Sequence, residues 1–222
     1  MRKFLAKYKH GWILVYFLLY FPWFAMLEQT VTVNSRFHVV HMAIDDYIPF
    51  IEFFIIPYLL WFLYVAAAIV YFFFTNVSDY YKLCCFLFIG MTVFLVVSTV
   101  FPNGHYLRPS VFVRDNICTE LVQWLYATDT STNLFPSIHV FNSIAVHIAV
   151  SHSETLRRYR WVQLASGVLM ASIVCSTMFL KQHSVFDVLT AFLMAGVLYT
   201  VVYGREWQQN RRKGYQGQLQ KI

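Results

Sequence analysis

Charged residues are scarce in this 222-residue chain: Asp, Glu, Lys and Arg together make 13%, against 59% hydrophobic and 19% aromatic residues. A soluble domain of this length needs more polar surface than that, so the composition excludes a soluble globular protein and points to a membrane. Cysteine is sparse as well. Of the four, Cys84, Cys85 and Cys175 fall in apolar runs and Cys118 lies in a loop, which excludes an intrachain disulfide framework. Also missing are a paired-cysteine motif and a helical histidine pair with an intervening glutamate, so neither a metal site nor a cofactor is expected. The first apolar run ends in Met26-Leu27-Glu28-Gln29 without a small-residue cleavage pattern and reads as a retained span. No repeat, low-complexity segment or linker divides the chain, which reads as one membrane-embedded domain over 1–222 with a basic tail at 204–222.

What is abundant is apolar sequence in runs close to the roughly 20 residues that cross a hydrocarbon core. Six are read: 12–27, 48–74, 81–101, 135–150, 161–180 and 185–203. The expected fold is therefore all-α, a polytopic six-transmembrane-helix bundle with short interfacial helices in its outer loops. The fourth run carries Ser137, His139, Asn142, Ser143 and His147. Polar groups in a membrane helix need partners, so this run should face the bundle interior. Tryptophans near span ends, such as Trp12, Trp61 and Trp161, are expected in the interfacial belts.

Basic residues are divided unevenly between alternate loops. Arg2, Lys3, Lys7, Lys9, Lys82, Arg157, Arg158, Arg160, Arg205, Arg211, Arg212, Lys213 and Lys221 fall on one side; only Arg36, Arg108, Arg114 and Lys181 fall on the other. By the positive-inside rule both termini are cytoplasmic and the number of spans is even. A multi-pass plasma (inner) membrane protein fits, as does an organelle membrane with the opposite loops in the lumen. The net charge of +6 is then mostly anchoring beside anionic lipid, not a nucleic-acid footprint.

Two short clusters fall on the extracytoplasmic side of this topology: Pro136-Ser137-Ile138-His139, and Ser176-Thr177 followed by His183 and Asp187. On a helix, residues i and i+4 share a face. Asp187 can thus hold one ring nitrogen of His183 and leave the other as a nucleophile, with His139 as an acid. A carboxylate within the sixth run is costly unless paired, which favours this reading over an isolated interfacial histidine. The spacing of these residues resembles the second and third signatures of the type-2 phosphatidic acid phosphatase (lipid phosphate phosphatase) superfamily, over about residues 100–203. Arg108-Pro109 is similar to the end of its first signature. Three positions depart from the pattern: Phe101 stands at the lysine, Ile138 at a glycine and Thr177 at an arginine. The His183-to-Val188 stretch is most similar to the branch of inositol phosphorylceramide and sphingomyelin synthases.

The resemblance implies a metal-independent lipid phosphatase or headgroup phosphotransferase that works through a phosphohistidine at the outer leaflet. The substrate would be phosphatidic acid, an isoprenyl diphosphate or a phospholipid, with water or a lipid alcohol as acceptor. His183 would attack, His139 would protonate the leaving group, and Asp187 would orient His183. Phosphate would be held by Arg108, Ser137, Lys181 and Ser176, the two cations supplying charge and the helix start at Ser137 supplying donors. The alternative is a catalytically weakened member acting as a lipid-binding, scaffolding or transport protein, which Phe101 and Thr177 motivate.

Outside the clusters, segment 116–126 places Ile117, Leu121 and Leu125 at i, i+4 and i+8 beside Trp124 and predicts an interfacial helix. Loop 28–47 is expected to lie flat in the interface. Asp45, Asp46 and Glu52 read as a solvated boundary or a cation or amine site, His105 as a neighbour of Arg108, and His147 as helix-to-helix glue.

Overall fold

The computed structural model describes residues 7–32 and 34–204. Seven basic residues used in the topology count, Arg2, Lys3, Arg205, Arg211, Arg212, Lys213 and Lys221, lie outside the described residues. The fold is helical almost throughout. A 3-10 stretch, Lys9–Tyr16, runs into α1 (Phe17–Thr30), followed by α2 (Ile55–Thr75), α3 (Val77–Val100), α4 (Ile117–Thr128), α5 (Ile138–His152), α6 (Arg160–Phe179) and α7 (Val185–Val202). Among the described residues one sheet forms, pairing β1 (His38–Val39) in parallel with β2 (Asn103–Gly104) and tying the loop before α2 to the segment after α3.

Helix starts are written in the sequence as side-chain caps. Asn76, the single residue between α2 and α3, accepts from the Ser78 and Asp79 amides; Asn116 caps α4, Ser137 caps α5 and Ser184 caps α7. Each cap meets backbone donors that a helix start would otherwise leave unpaired.

Among the described residues, five helical segments are long and apolar enough to cross a membrane: Lys9–Thr30, Glu52–Thr75, Val77–Val100, Arg160–Phe179 and Val185–Val202. Leu18, Leu63, Leu164 and Leu193 stand exposed on them, a surface suited to hydrocarbon and hazardous in water. The expected fourth span misses this length. Its cap at Ser137 and its end at His152 leave α5 with 15 residues, about 22 Å at 1.5 Å per residue, against a core of about 30 Å.

Short as it is, α5 is the axis of the bundle. It packs on α2, α3, α6 and α7, with Phe141, Ser143 and Val146 wholly buried. Apolar side chains gain little by leaving lipid tails, so association here rests on close packing and polar bonds. Both are present. A Cβ on Gly90 of α3 would lie 2.0 Å from the Phe141 ring, so only glycine permits this approach. His147 meets the Ser166 hydroxyl at 3.0 Å, and Tyr64 reaches the same hydroxyl at 2.6 Å, the interhelical glue expected of His147.

Successive long helices alternate in direction. Glu28 at the end of α1 bonds Asn133, Tyr58 near the start of α2 bonds Asp129, and the end of α6 passes into the turn that starts α7. At the opposite end His10 bonds Phe73, Trp12 bonds Tyr81 and Ser151 bonds Gln163. The end carrying the two histidine clusters is therefore built by α1, α2, α3, α5, α6 and α7 together.

Two expectations for the loops are corrected. Helix α4 exists, but Ile117 and Leu125 do not share an environment: Thr119, Val122 and Leu125 are buried against the protein, whereas Ile117 and Trp124, seven residues apart, face outward. The i, i+4, i+8 series drifts about 40° per step, enough to cross from one face to the other. The acidic residues form no common site either. Asp45 and Glu52 are buried, Glu52 with Arg114 and Asn116, while Asp46 pairs with His41 at the surface.

Candidate active site

His183 sits in the turn between α6 and α7, where the Thr177 carbonyl accepts its backbone N–H at 3.0 Å. Its ring is 4% exposed, and Nδ1 lies 3.3 Å from Asp187 Oδ2. That carboxylate oxygen also accepts the Ser184 amide at 3.0 Å in a capping box, so one group both starts α7 and aims the imidazole. With Nδ1–H donated to Asp187, Nε2 keeps its lone pair. Burial, and secondarily the Arg108 charge, pushes the His183 pKa down, which keeps the ring neutral and nucleophilic near pH 7.

The second residue of α5 is His139. Its ring centroid lies 5.7 Å from that of His183, and it is held by Tyr58 at 4.8 Å and Trp61 at 4.3 Å. Trp61 is thus no belt residue: it is 9% exposed and supports the histidine. Ser137, the α5 cap, is fully buried; its hydroxyl accepts the Val140 amide at 3.4 Å, and its own amide donates to the Asp187 carbonyl at 3.4 Å, which links the two histidine helices.

Arg108 arrives from the loop after α3. Its Nη1 donates to the Tyr126 and Asp129 carbonyls at 3.3 and 2.8 Å; its Nη2 donates to the Thr130 carbonyl at 2.7 Å and to Gln182 Oε1. The guanidinium also lies 4.4 Å above the Tyr126 ring. All four terminal N–H groups are thereby committed, and Nε is buried without a partner. Its charge faces Asp129, whose carboxyl burial raises to about 6 against the pull of Arg108. Asp129 accepts from Tyr58 and Gln182, so the loop carrying Arg108 and the wall behind His139 share one polar network.

The other predicted phosphate contacts lie in different settings. Lys181, at a φ of 52°, donates to the Asp45 carbonyl at 2.6 Å, and burial lowers its pKa while Asp45 and Asp46 oppose the shift. Ser176 is fully buried and donates to Ile173 one turn back in its own helix. At the three departures, Phe101 stacks on His38 at 4.2 Å, Thr177 bonds Val174 within α6, and Ile138 lines an apolar cleft beside the site.

Supporting residues reach the site from outside the two clusters, and of these Asn103 escaped sequence reasoning. Asp45, 2% exposed, accepts the Val185 amide at 2.8 Å, the Met42 amide at 2.8 Å and the Ser184 hydroxyl, capping α7 from a loop 140 positions away. Asn103 accepts the Leu134 and Phe135 amides and sets the approach to Ser137. His105 donates through Nε2 to the Gln182 carbonyl and accepts the Leu107 amide at Nδ1; burial lowers its pKa to about 4. Nε2 thus positions the 181–183 turn, and Nδ1 fixes the loop that carries Arg108. Asp45 carried a visible signal, an acid close to a predicted span boundary, but nothing local distinguished it from Asp46.

Among the described residues, no three His, Cys, Asp or Glu side chains converge to ligate a metal ion. Three buried polar atoms in this one region, Arg108 Nε, His139 Nδ1 and Asp187 Oδ1, have no protein partner. The arrangement can do nucleophilic and proton-transfer chemistry: an oriented neutral imidazole, a second imidazole beside it, and a cation alongside. Comparison with curated proteins and with solved structures gives no match. Residues 107–211 match the family model of the PAP2 superfamily, so the part of the chain that contains Arg108, Ser137, His139, His183 and Asp187 is similar to that superfamily.

Proposed function

We propose that this chain is an integral membrane enzyme that cleaves a phosphoester or phosphoanhydride bond of a phosphorylated lipid through a phosphohistidine at His183. The observation that carries the proposal is the 5.7 Å separation of the His139 and His183 rings, with Asp187 on the far nitrogen of His183. An in-line displacement needs a nucleophile about 3–3.5 Å from phosphorus and a proton donor in hydrogen-bond reach of the leaving oxygen. Two rings at this spacing suit both tasks.

In the first step His183 Nε2 forms a bond to phosphorus as the bond to the leaving oxygen breaks, and His139 gives that oxygen a proton. The bound phosphate supplies the negative charge that favours a protonated His139. In the second step His139 takes a proton from water or a lipid alcohol, whose oxygen attacks phosphorus and releases His183. Arg108 contributes its half-buried charge and its Nε–H to the equatorial oxygens. Ser137 supports the start of α5 beside them; Lys181 and Ser176, the other members of the proposed phosphate-binding set, are engaged with Asp45 and Ile173 and would have to exchange those partners for phosphate. Water gives a phosphatase and an alcohol gives a phosphotransferase of the synthase-like branch.

In the proposed topology α5 is a sixth crossing, short because its neighbours sheathe it, both termini are cytoplasmic, and the histidines lie at the outer leaflet. The alternation in direction of the five long helices and α5 supports it.

A second reading, a lipid-binding protein with weakened catalysis, is favoured by one observation: the terminal N–H groups of Arg108 already bind protein acceptors. Purified protein incubated with phosphatidic acid and isoprenyl diphosphate, with and without diacylglycerol, separates the readings. Phosphate release or phosphoryl transfer that vanishes in His183→Ala supports the enzyme. Equal activity in both proteins overturns His183 as the nucleophile, and none from either supports the second reading.

A further inference from the structure

At the end of the bundle opposite the two histidine clusters, an open groove of about 580 Å³ runs along α6 where that helix packs on α5. Arg160, the first residue of α6, lines one end of it, and Leu164, Val168 and Ala171 follow on the same exposed face of the helix. His147 and Gly167 line it from α5 and α6.

The two ring nitrogens of His147 have different settings. Nδ1 lies 3.0 Å from Ser166 Oγ, which Tyr64 of α2 reaches at 2.6 Å. The other edge of the ring lies over Gly167, where a Cβ would stand 3.3 Å from Cε1 and 3.8 Å from Nε2. Unlike His139 Nδ1, Nε2 is not sealed inside the protein, and no described residue bonds it. Tyrosine is the stronger acid of the two hydroxyls, so Tyr64 donates to Ser166, Ser166 donates to Nδ1, and the ring proton stays on Nε2. An N–H turned toward hydrocarbon is costly unless a ligand oxygen accepts it.

The other end of the groove is strongly basic. Arg157, Arg158 and Arg160 stand exposed there against one acid, Glu154, and among the described residues Arg160 has no hydrogen-bond or ion-pair partner. Gln163, beside the groove, is already engaged with the Ser151 hydroxyl and the Val150 carbonyl, so His147 Nε2 is the free donor within it. Seven residues separate Arg160 from Gly167, about 10 Å along the α6 axis, which a surface phosphate and an ester carbonyl below it can bridge.

We infer that this groove binds a diacyl anionic phospholipid from the leaflet at that end of the bundle. Its phosphate lies on Arg160, an ester carbonyl accepts from His147 Nε2, and one chain follows Leu164, Val168 and Ala171. The site requires no chemistry at His183. It serves as a lipid clamp across the α5 and α6 pair, with Gly167 giving the imidazole room to face the ligand.

The test irradiates the purified full chain in detergent with a phosphatidylglycerol that carries a diazirine near the start of one chain, and maps the adducts by mass spectrometry. Label is expected on α6 between Leu164 and Ala171. Phosphatidylcholine should compete about 5-fold more weakly than unlabelled phosphatidylglycerol, the effect of one arginine beside an anionic headgroup. A diether phosphatidylglycerol, which keeps the phosphate and lacks the carbonyl, should compete about 2- to 12-fold more weakly. Arg160→Gln should erase the first difference and His147→Phe the second, while Ala171→Trp, filling the groove from an exposed position, should abolish the label. Label confined to other helices, or equal competition by the three lipids on the unaltered protein, overturns the inference even if a variant fails to fold. Glycerol phosphate competing as well as the intact lipid would overturn the lipid as occupant. Label that disappears in His183→Ala would place the bound lipid in the proposed active site and equally overturn the groove.

Discussion

Replacing Asp45 by alanine should unseat the helix that carries the proposed nucleophile, although Asp45 lies 138 residues before His183. Its buried carboxylate accepts the Val185 and Met42 amides and the Ser184 hydroxyl. Alanine leaves these donors without their acceptor. A helix cap contributes about 0.5–2 kcal/mol, and each buried donor left unpaired costs about 1–3 kcal/mol. Two amides and a partly compensated hydroxyl give a loss of about 3–5 kcal/mol. For a chain of this size, 1 kcal/mol shifts Tm by about 2–4 °C, so a drop on the order of 10 °C is expected. Cys84 is wholly buried in α3, and its labelling by a thiol-reactive dye during heating in detergent reports unfolding. Asp46→Ala is the matched control, because its surface pair with His41 should contribute less than about 0.5 kcal/mol. Equal melting of the Asp45→Ala and Asp46→Ala proteins would refute the reasoning.

Further outcomes follow from packing, charge and support of the site. Gly90→Ala forces the Phe141 ring aside, should destabilise by about 1–3 kcal/mol, and should be partly rescued by Phe141→Leu in the same melting assay. Asp129 is protonated more readily folded than unfolded, so its contribution to stability falls as pH rises from 3.8 to about 6, by up to about 3 kcal/mol; Asp129→Asn should flatten that slope. His105 has the opposite sign: its pKa is depressed to about 4, so its contribution is full above 6.5 and lost as pH falls to about 4, and His105→Gln should remove that loss. Tyr58→Phe keeps the ring against His139 but frees Asp129 of one donor, and melting should fall by about 1.5–3 kcal/mol.

Apolar runs made the long helices legible in the sequence, and caps such as Asn76, Asn116, Ser137 and Ser184 mark their starts. The His183 and Asp187 pairing was legible because an i, i+4 relation is local. The setting of Asp45 was not: its partners lie about 140 positions away, and loop closure leaves no local periodicity. Trp61 reads in sequence with the interfacial tryptophans, yet it lies midway along run 48–74 and turns inward against His139, an orientation that no local pattern announces. The commitment of Arg108 was hidden for the same reason, since its acceptors are mostly backbone carbonyls that no residue type announces.

Trapping the phosphoryl group tests the central claim most directly. Full-length protein is mixed with phosphatidic acid, quenched without acid within one turnover, and mapped by mass spectrometry. Phosphate should be found on His183, and both label and turnover should vanish in His183→Gln. Turnover that persists in His183→Gln, or a phosphoryl group carried by another side chain, would contradict the account.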